Sequence, residues 1–325
     1  MQKFYQAEIM SRQVALGIDI GGTDTKYGFV EKSGEILSKG KFSTNTNDDI
    51  IFFIADLKKE IKKALAALPE QIELIGIGIG APNGNFYRGT IEQATNLAWK
   101  GIVPLSRLVE ESLNAKTYVT NDANAAAMGE MLFGSAKGMR NFVVITMGTG
   151  LGSGIVVNGE IVYGHSGFAG ELGHQTVNIN GRSCACGKKG CLETYVSATG
   201  IKRTVYKLLA DSREESVLRN IGFNDLSAEM ITGEALRGDK IATEAFEYTG
   251  RILGIKLADT VYHLAPEAIF LAGGLAKAGS ILFDQVIFQL EKNLMTLFKD
   301  SVKVLPSGLE DQDSSILGAA SLILK

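Results

Sequence analysis

Two stretches of this chain, Val14–Val30 and Asn141–Val162, are built alike: an apolar β-rich run, a glycine turn and a second β-rich run. The first, VALGIDIGGTDTKYGFV, leads to a third alternating run around Gly34–Ser38, which makes a β-meander. The second, NFVVITMGTGLGSGIVVNGEIV, echoes it in kind though not residue by residue. Such an echo predicts a duplicated fold, and 325 residues suffice for two cores at roughly 100–200 residues per domain.

Between and after these units the periodicity alternates. An amphipathic helix is expected over Asp48–Leu68, where Ile50, Ile51, Ile54, Leu57, Ile61, Leu65 and Leu68 recur at three- and four-residue spacings. Ile72–Pro82 reads as a buried strand, and Thr117–Asp122 as a strand running into a helix, ANAAAMGEMLFG. Further helices are expected over Ser197–Ala210, Ser227–Arg237, Ile241–His263, Ile281–Leu297 and Ser314–Leu324, with a strand over Ala268–Gly274. Alternation of this kind predicts an α/β fold with largely parallel sheets. No Pro/Ser-rich linker interrupts it, so the boundary falls near Asp122, giving a small domain of residues 1–121 plus 312–325 and a large domain of residues 122–311.

The 33 Lys+Arg against 36 Asp+Glu leave a net charge of -3, which offers no basic field for nucleic acid. The first thirteen residues lack the apolar core of a signal peptide, and no apolar run approaches the roughly 20 residues that span a bilayer. A cytoplasmic protein without a membrane partner is therefore expected. Glycine is the outlier, at 38 residues against five prolines, and it points to loops that need unusual backbone angles or close approach to a ligand.

Three glycine loops fit phosphate chemistry. In Asp19-Ile20-Gly21-Gly22-Thr23-Asp24-Thr25-Lys26 a carboxylate ends a strand, two glycines and a hydroxyl form the turn, and a lysine sits on the return strand. Glycines admit backbone N–H groups to phosphate oxygens, Thr23 donates another hydrogen bond, and Asp19 can reach hydrated Mg²⁺. The alternative is a tight hairpin whose glycines only supply positive φ. Gly148-Thr149-Gly150 begins a second loop; a strand follows it, so it is not a dinucleotide fingerprint, which must open a helix. Gly273-Gly274, at a strand end before an alanine-rich stretch, is a turn or a third contact.

All three cysteines, Cys184, Cys186 and Cys191, fall in one eight-residue window shortly after His174. One imidazole and three thiolates complete a tetrahedral Zn²⁺ set with no open position, so the zinc is expected to be structural and to brace the segment bearing Glu171 and Glu193.

Together these motifs resemble the ROK sugar kinases and repressors. The resemblance runs from about Val14 to the C-terminus and is carried by D-x-G-G-T-x-x-K at Asp19–Lys26 and E-x-G-H…C-x-C-G-x-x-G-C-x-E at Glu171–Glu193. It implies two duplicated actin/hexokinase-like (ribonuclease H-like) domains with a cleft between them, and transfer of the ATP γ-phosphoryl to a sugar hydroxyl. By position, Asp122 of the Asn121-Asp122 pair matches the group that accepts the proton of the attacking hydroxyl. Its local alternative is a helix N-cap. Glu171, His174 and Glu193 match sugar-contacting positions, and the region of Asn83, Gly84 and Asn85 with Thr95 and Asn96 matches further ones. Pro82-Asn83-Gly84 departs from the Pro-Gly commoner in the family, and its Asn-Gly also suits a turn. ATP, Mg²⁺ and structural Zn²⁺ are the implied cofactors, and a homodimer the implied assembly. His165 and His263 fall in no motif.

The resemblance leaves other classes to weigh. About thirteen residues precede the first strand, too few for the helix-turn-helix of a repressor. A silent sugar sensor has no need of intact phosphate loops with Asp122. The expectation is a hexose kinase acting on the 6-hydroxyl of glucose, with N-acetylmannosamine, N-acetylglucosamine or fructose as alternative substrates.

Overall fold

The computed structural model describes residues 12–44, 48–69, 72–309 and 313–325. In chain order come β1 (Arg12–Ile20), β2 (Asp24–Glu31), β3 (Ile36–Ser43), α1 (Ile50–Ala66), β4 (Ile72–Ala81), β5 (Gly84–Asn85), β6 (Thr90–Glu92), β7 (Ile102–Val103), α2 (Leu105–Leu113), β8 (Thr117–Asn121) and α3 (Asp122–Leu132). The chain continues through β9 (Phe142–Met147), β10 (Leu151–Val157), β11 (Glu160–Ile161), α4 (Ala198–Asp211), α5 (Ala228–Leu236), α6 (Lys240–Leu264), β12 (Ala268–Ala272), α7 (Ser280–Asn293), β13 (Lys303–Pro306) and α8 (Ser314–Leu324). It divides into two units: the described part of residues 1–133, 163–168 and 312–325, and that of residues 134–162 and 169–311.

Each unit is built on a five-stranded sheet of one topology. The first has the order β3-β2-β1-β4-β8, the second β11-β10-β9-β12-β13. In both, three strands form an antiparallel meander and two more run parallel to its first strand. The duplication heard in the two glycine-hinged units is thus a duplication of whole sheets. In the first unit Phe53, Leu57 and Ile61 of α1 join a core that includes Ile18, Ile77 and Trp99. In the second, α6 packs along α7 and against α4 and α5, and supplies Phe246, Leu253 and Leu257 to the larger core.

The C-terminal helix α8 returns to the first unit and packs on β1, β4 and α3. It lies so close that a Cβ on Gly17 or Gly78 would strike the carbonyls of Ile316 or Ala319. Part of the glycine excess therefore serves helix-on-sheet packing, whereas composition alone had suggested ligand loops. α3 also sits in the first unit, since it packs on α8, β4 and β8, so the contact boundary lies after Phe133 and not at Asp122.

Other departures are local. β3 extends to Ser43, and α7 stops at Asn293 before reaching Leu297. It stops because the Tyr262 hydroxyl donates to Asn293 O at 2.6 Å and accepts from Met295 N at 2.9 Å, drawing the backbone out of the helix. The three-stranded sheet β5-β6-β7, α2 and β13 were not foreseen; strands of two to four residues carry no periodicity to read. Of the leading segment only Arg12 and Gln13 are described, as the start of β1. No helix among the described residues is long and apolar enough to cross a membrane.

Gly78→Ala tests the packing of α8. Overfilling a close-packed site costs about 1–3 kcal/mol, so the thermal midpoint should fall; an unchanged midpoint would contradict this packing.

Candidate functional site

In the first unit β1, β4 and β8 are parallel and end together: Asp19 pairs with Gly80, and Ala81 with Asn121. Carboxyl ends of parallel strands are where α/β sheets place ligands. The turn after β1 uses Gly21 N, which donates to Asp24 O at 3.0 Å. Neither Gly21 nor Gly22 adopts a positive φ; Gly21 is small because a Cβ there would lie 2.9 Å from Asp24 O across the turn. Gly22 is small because the Asn96 carbonyl would lie 3.0 Å from a Cβ there. Asp19 stands across the ladder from Lys26. Burial raises its pKa, opposed by the Ser315 hydroxyl at the start of α8 and by the Lys26 charge.

Asp122 opens α3. Asn121 is the N-cap, and its Oδ1 accepts from Ala123 N at 2.9 Å; Asp122 Oδ1 shares that N–H, also at 2.9 Å. Asp122 follows in the first turn with an exposed side chain, where the positive end of the helix dipole stabilises negative charge. Asn83, Thr95 and Asn96 are exposed as well. Asn83 has φ 51°, and its Nδ2 donates to Glu92 O at 2.9 Å, so it serves the turn. Gly84 is required because a Cβ would meet Thr120 O.

Asn85 corrects an expectation. It is fully buried; Nδ2 donates to Ser166 O at 2.9 Å, and Oδ1 accepts from Tyr87 N at 3.1 Å and Arg88 N at 3.2 Å. That side chain has no surface to offer a sugar. Instead it holds residues 163–168 in place beside the Phe86–Tyr163 stack, whose ring centroids are 4.4 Å apart.

In the second unit β9 and β12 are parallel neighbours, with Ala272 opposite Thr146, so the Gly148-Thr149-Gly150 and Gly273-Gly274 loops leave the same sheet edge. Gly148 and Thr149 are exposed, and Gly148 O accepts from Ala198 N at the start of α4 at 2.9 Å. Gly273 has φ +88°, and a Cβ there would lie 2.7 Å from Met147 O. That contact explains this glycine without a ligand, whereas Gly274 is exposed with nothing near its Cβ position.

Two three-residue 3₁₀ turns, Leu172–His174 and Leu192–Thr194, carry the remaining groups. Leu192 N donates to Gln175 O at 2.9 Å and Thr176 bridges Cys191, so the turns lie side by side. Ligand atoms of His174, Cys184, Cys186 and Cys191 all lie within 4.8 Å of one another. Cys186 Sγ is 3.6 Å from Cys191 Sγ, and Cys184 Sγ is 3.8 Å from His174 Nδ1. A tetrahedral Zn²⁺ with bonds of about 2.3 Å to sulfur and about 2.0 Å to nitrogen sets edges of about 3.5–3.8 Å, so the donor set fits that ion. Burial pushes the Cys184 and Cys191 thiols up, while the Lys188 amide and the neighbouring cysteines draw Cys186 down against its own burial. A bound cation would stabilise three thiolates side by side.

The two carboxylates flank the cluster. Glu193 Oε1 accepts from Cys184 Sγ at 2.9 Å and lies 3.7 Å from His174 Nδ1. Its Oε2 stands 2.8 Å from where a Gly150 Cβ would be, so Glu193 lies between the cluster and the second glycine loop. Glu171 Oε2 is 3.9 Å from His174 Nε2, and burial raises its pKa. His174 thus turns Nδ1 to the sulfurs and Nε2 to Glu171. His165 is exposed, and His263 Nδ1 lies 2.6 Å from Asp259 O on α6.

A family model described as the ROK family matches residues 15–325. The chain belongs to the ROK family. Among ROK relatives, it is 35% identical to a glucokinase of Halalkalibacterium halodurans over 97% of this chain and 96% of that protein. Its fold matches a ROK family glucokinase from Streptomyces griseus, solved with glucose and AMPPNP, at TM-score 0.80 and 31% identity, covering 95% of this chain and 99% of the other. It also matches a ROK family transcriptional regulator, a homologue of the E. coli MLC protein, at TM-score 0.86 and 28% identity, covering 96% of this chain and 78% of the regulator. The fold is therefore the actin/hexokinase-like one of ROK glucokinases.

Two outcomes follow from this geometry. Protein purified without chelator should carry close to one zinc per chain by elemental analysis, and Cys191→Ser should abolish it; zinc retained by that variant would contradict the ligand set. Asp19, with its pKa raised by burial, favours folding most below the ordinary carboxylate range and loses that advantage as pH rises through its folded pKa. Asp19→Asn should therefore raise the melting temperature of the ligand-free protein at pH 7, with the gain shrinking on acidification. A lower melting temperature would show the carboxylate to be stabilising.

Proposed function

We propose that this ROK chain is an ATP- and Mg²⁺-dependent cytoplasmic hexose kinase that transfers the γ-phosphoryl group of MgATP to the 6-hydroxyl of glucose. The observation that carries the reading is Asp122: an exposed carboxylate in the first turn of a helix whose N-cap is Asn121, with Oδ1 on Ala123 N, on the strand edge that bears the Asp19 loop. Asp122 accepts the proton as the 6-oxygen bonds to the γ-phosphorus; the bond from that phosphorus to the β,γ-bridging oxygen breaks, and ADP leaves with the electron pair.

Gly21, Gly22 and Thr23 offer backbone and hydroxyl donors to phosphate, Lys26 adds charge, and Asp19 orders the water shell of Mg²⁺. Gly148, Thr149, Gly150 and Gly274 provide the second unit's nucleotide contacts. Glu171, His174 and Glu193 accept and donate hydrogen bonds to the sugar hydroxyls, joined by Asn83, Thr95, Asn96 and Asn121. His174, Cys184, Cys186 and Cys191 hold Zn²⁺, which as a closed four-ligand ion supplies rigidity to the loop and no Lewis-acid position.

A sugar-responsive regulator is the second reading, favoured by the fold match to the MLC homologue. Turnover separates the two. Asp122→Asn should lower kcat by about 10²–10⁴ while sugar affinity stays within a few-fold, because a general base contributes to the transition state and little to ground-state binding. Retained kcat would overturn the assignment of Asp122, and absence of ADP release by the unaltered protein with any hexose would favour the regulator.

Glucose is the preferred substrate because the proposed sugar contacts are polar throughout. A site built to bind a hydroxyl rejects an analogue that leaves its groups unpaired, by as much as about 10⁴. In a panel with N-acetylmannosamine, N-acetylglucosamine and fructose, glucose should have the highest kcat/KM. A tenfold advantage for an N-acetylhexosamine would replace the sugar and leave the kinase.

A further inference from the structure

Two residues before Cys184, Arg182 reaches out of the metal loop into the body of the second unit. Its Nη1 donates to Thr194 O at 2.7 Å and to Gly200 O at 2.9 Å, and its Nη2 donates to Thr204 Oγ1 at 2.9 Å. The guanidinium lies over the Tyr195 ring, 4.5 Å from the centroid, and the Arg182 backbone N–H donates to the Tyr195 hydroxyl at 3.1 Å. Among the described residues no carboxylate stands within ion-pair distance of it. Its partners are the backbone and one hydroxyl, arranged around a planar fork.

Those partners surround one residue. Glu193 precedes Thr194, whose carbonyl Arg182 holds, and follows Leu192, whose amide is tied to Gln175. The Glu193 carbonyl accepts from Ser197 Oγ at 2.7 Å, and Ser197 Oγ in turn accepts from Gly200 N at 2.9 Å. Arg182 takes the Gly200 carbonyl, so one guanidinium fastens the turn bearing Glu193 to the first turn of α4. Arg203 answers from α4, donating to Ser183 O at 3.1 Å. The cluster fixes the turn through Cys191 on one side of Glu193; the arginine fixes it on the other.

We propose that Arg182 is a positioning residue for the Glu193 carboxylate, setting sugar affinity through the backbone on either side of that group and independently of the metal. The proposal rests on the reading of Glu193 as a sugar contact. A lysine cannot reproduce it, because one ammonium lacks the planar fork that spans two carbonyls and a hydroxyl.

The test is steady-state kinetics on Arg182→Met, Arg182→Lys and Thr204→Val beside the unaltered protein, with zinc content measured for each. Arg182→Met should raise the glucose KM about 10–100-fold, the range for residues that orient the groups around a metal site, with kcat and the MgATP KM within about threefold and zinc retained. Arg182→Lys and Thr204→Val should fall between it and the unaltered protein; should Arg182→Met not fold, this graded rise carries the test. An unchanged glucose KM, or a parallel rise in both KM values, would overturn the proposal. So would loss of zinc together with affinity, which would mark Arg182 as a general support of the loop. Failure of the unaltered protein to turn over any hexose would overturn the kinase reading and this one together; normal turnover with indifferent variants would overturn this one alone.

Discussion

A three-residue 3₁₀ turn closes one or two hydrogen bonds and cannot by itself hold a side chain to a fixed place. Both carboxylates that flank the cysteine cluster depend on such turns: Glu171 precedes Leu172–His174, and Glu193 lies within Leu192–Thr194. Their geometry comes from cross-links, namely the Cys₃His cluster, the Thr176–Cys191 bridge and the Arg182 fork. Structural zinc contributes on the order of 10 kcal/mol to local folding, far more than any one hydrogen bond in the loop. On the proposed reading, that cross-link is what lets a segment so poor in regular structure serve as a surface for a sugar.

The first unit solves the same problem without a metal. Its candidate edge is made of strand ends that the parallel ladder aligns, and the helix behind them has Asn121 as its N-cap and Asp122 in its first turn. The sheet can carry α8 closely because Gly17 and Gly78 leave room for its backbone, and α8 in turn brings Ser315 to Asp19. Packing and chemistry share residues here: the helix that completes the fold also tunes the carboxylate of the first loop.

Much of this was written in the sequence, because it depends on residues close together in the chain. The Asp19–Lys26 loop, the helix opened by Asn121-Asp122 and the Cys184–Cys191 window each declare themselves over eight residues or fewer. What escaped depends on partners far away or on very short elements. Asn85 looked like a sugar contact among other small amides, and only its bond to Ser166, 81 positions on, shows it to be internal. Arg182 sits in no motif; its role emerges from carbonyls 12 and 18 residues away. The glycines facing α8 were indistinguishable from those of ligand loops, since composition does not say what approaches them.

On the proposed reading the metal cluster gives the sugar-binding face its shape while the nucleotide loops stand on the sheets. Calorimetric titration of glucose and of a non-hydrolysable ATP analogue, before and after zinc removal, tests it directly. The account predicts that glucose affinity falls by tenfold or more and nucleotide affinity changes little, with both restored on adding zinc back. Glucose affinity indifferent to the metal, or a loss of both ligands in step, would contradict it.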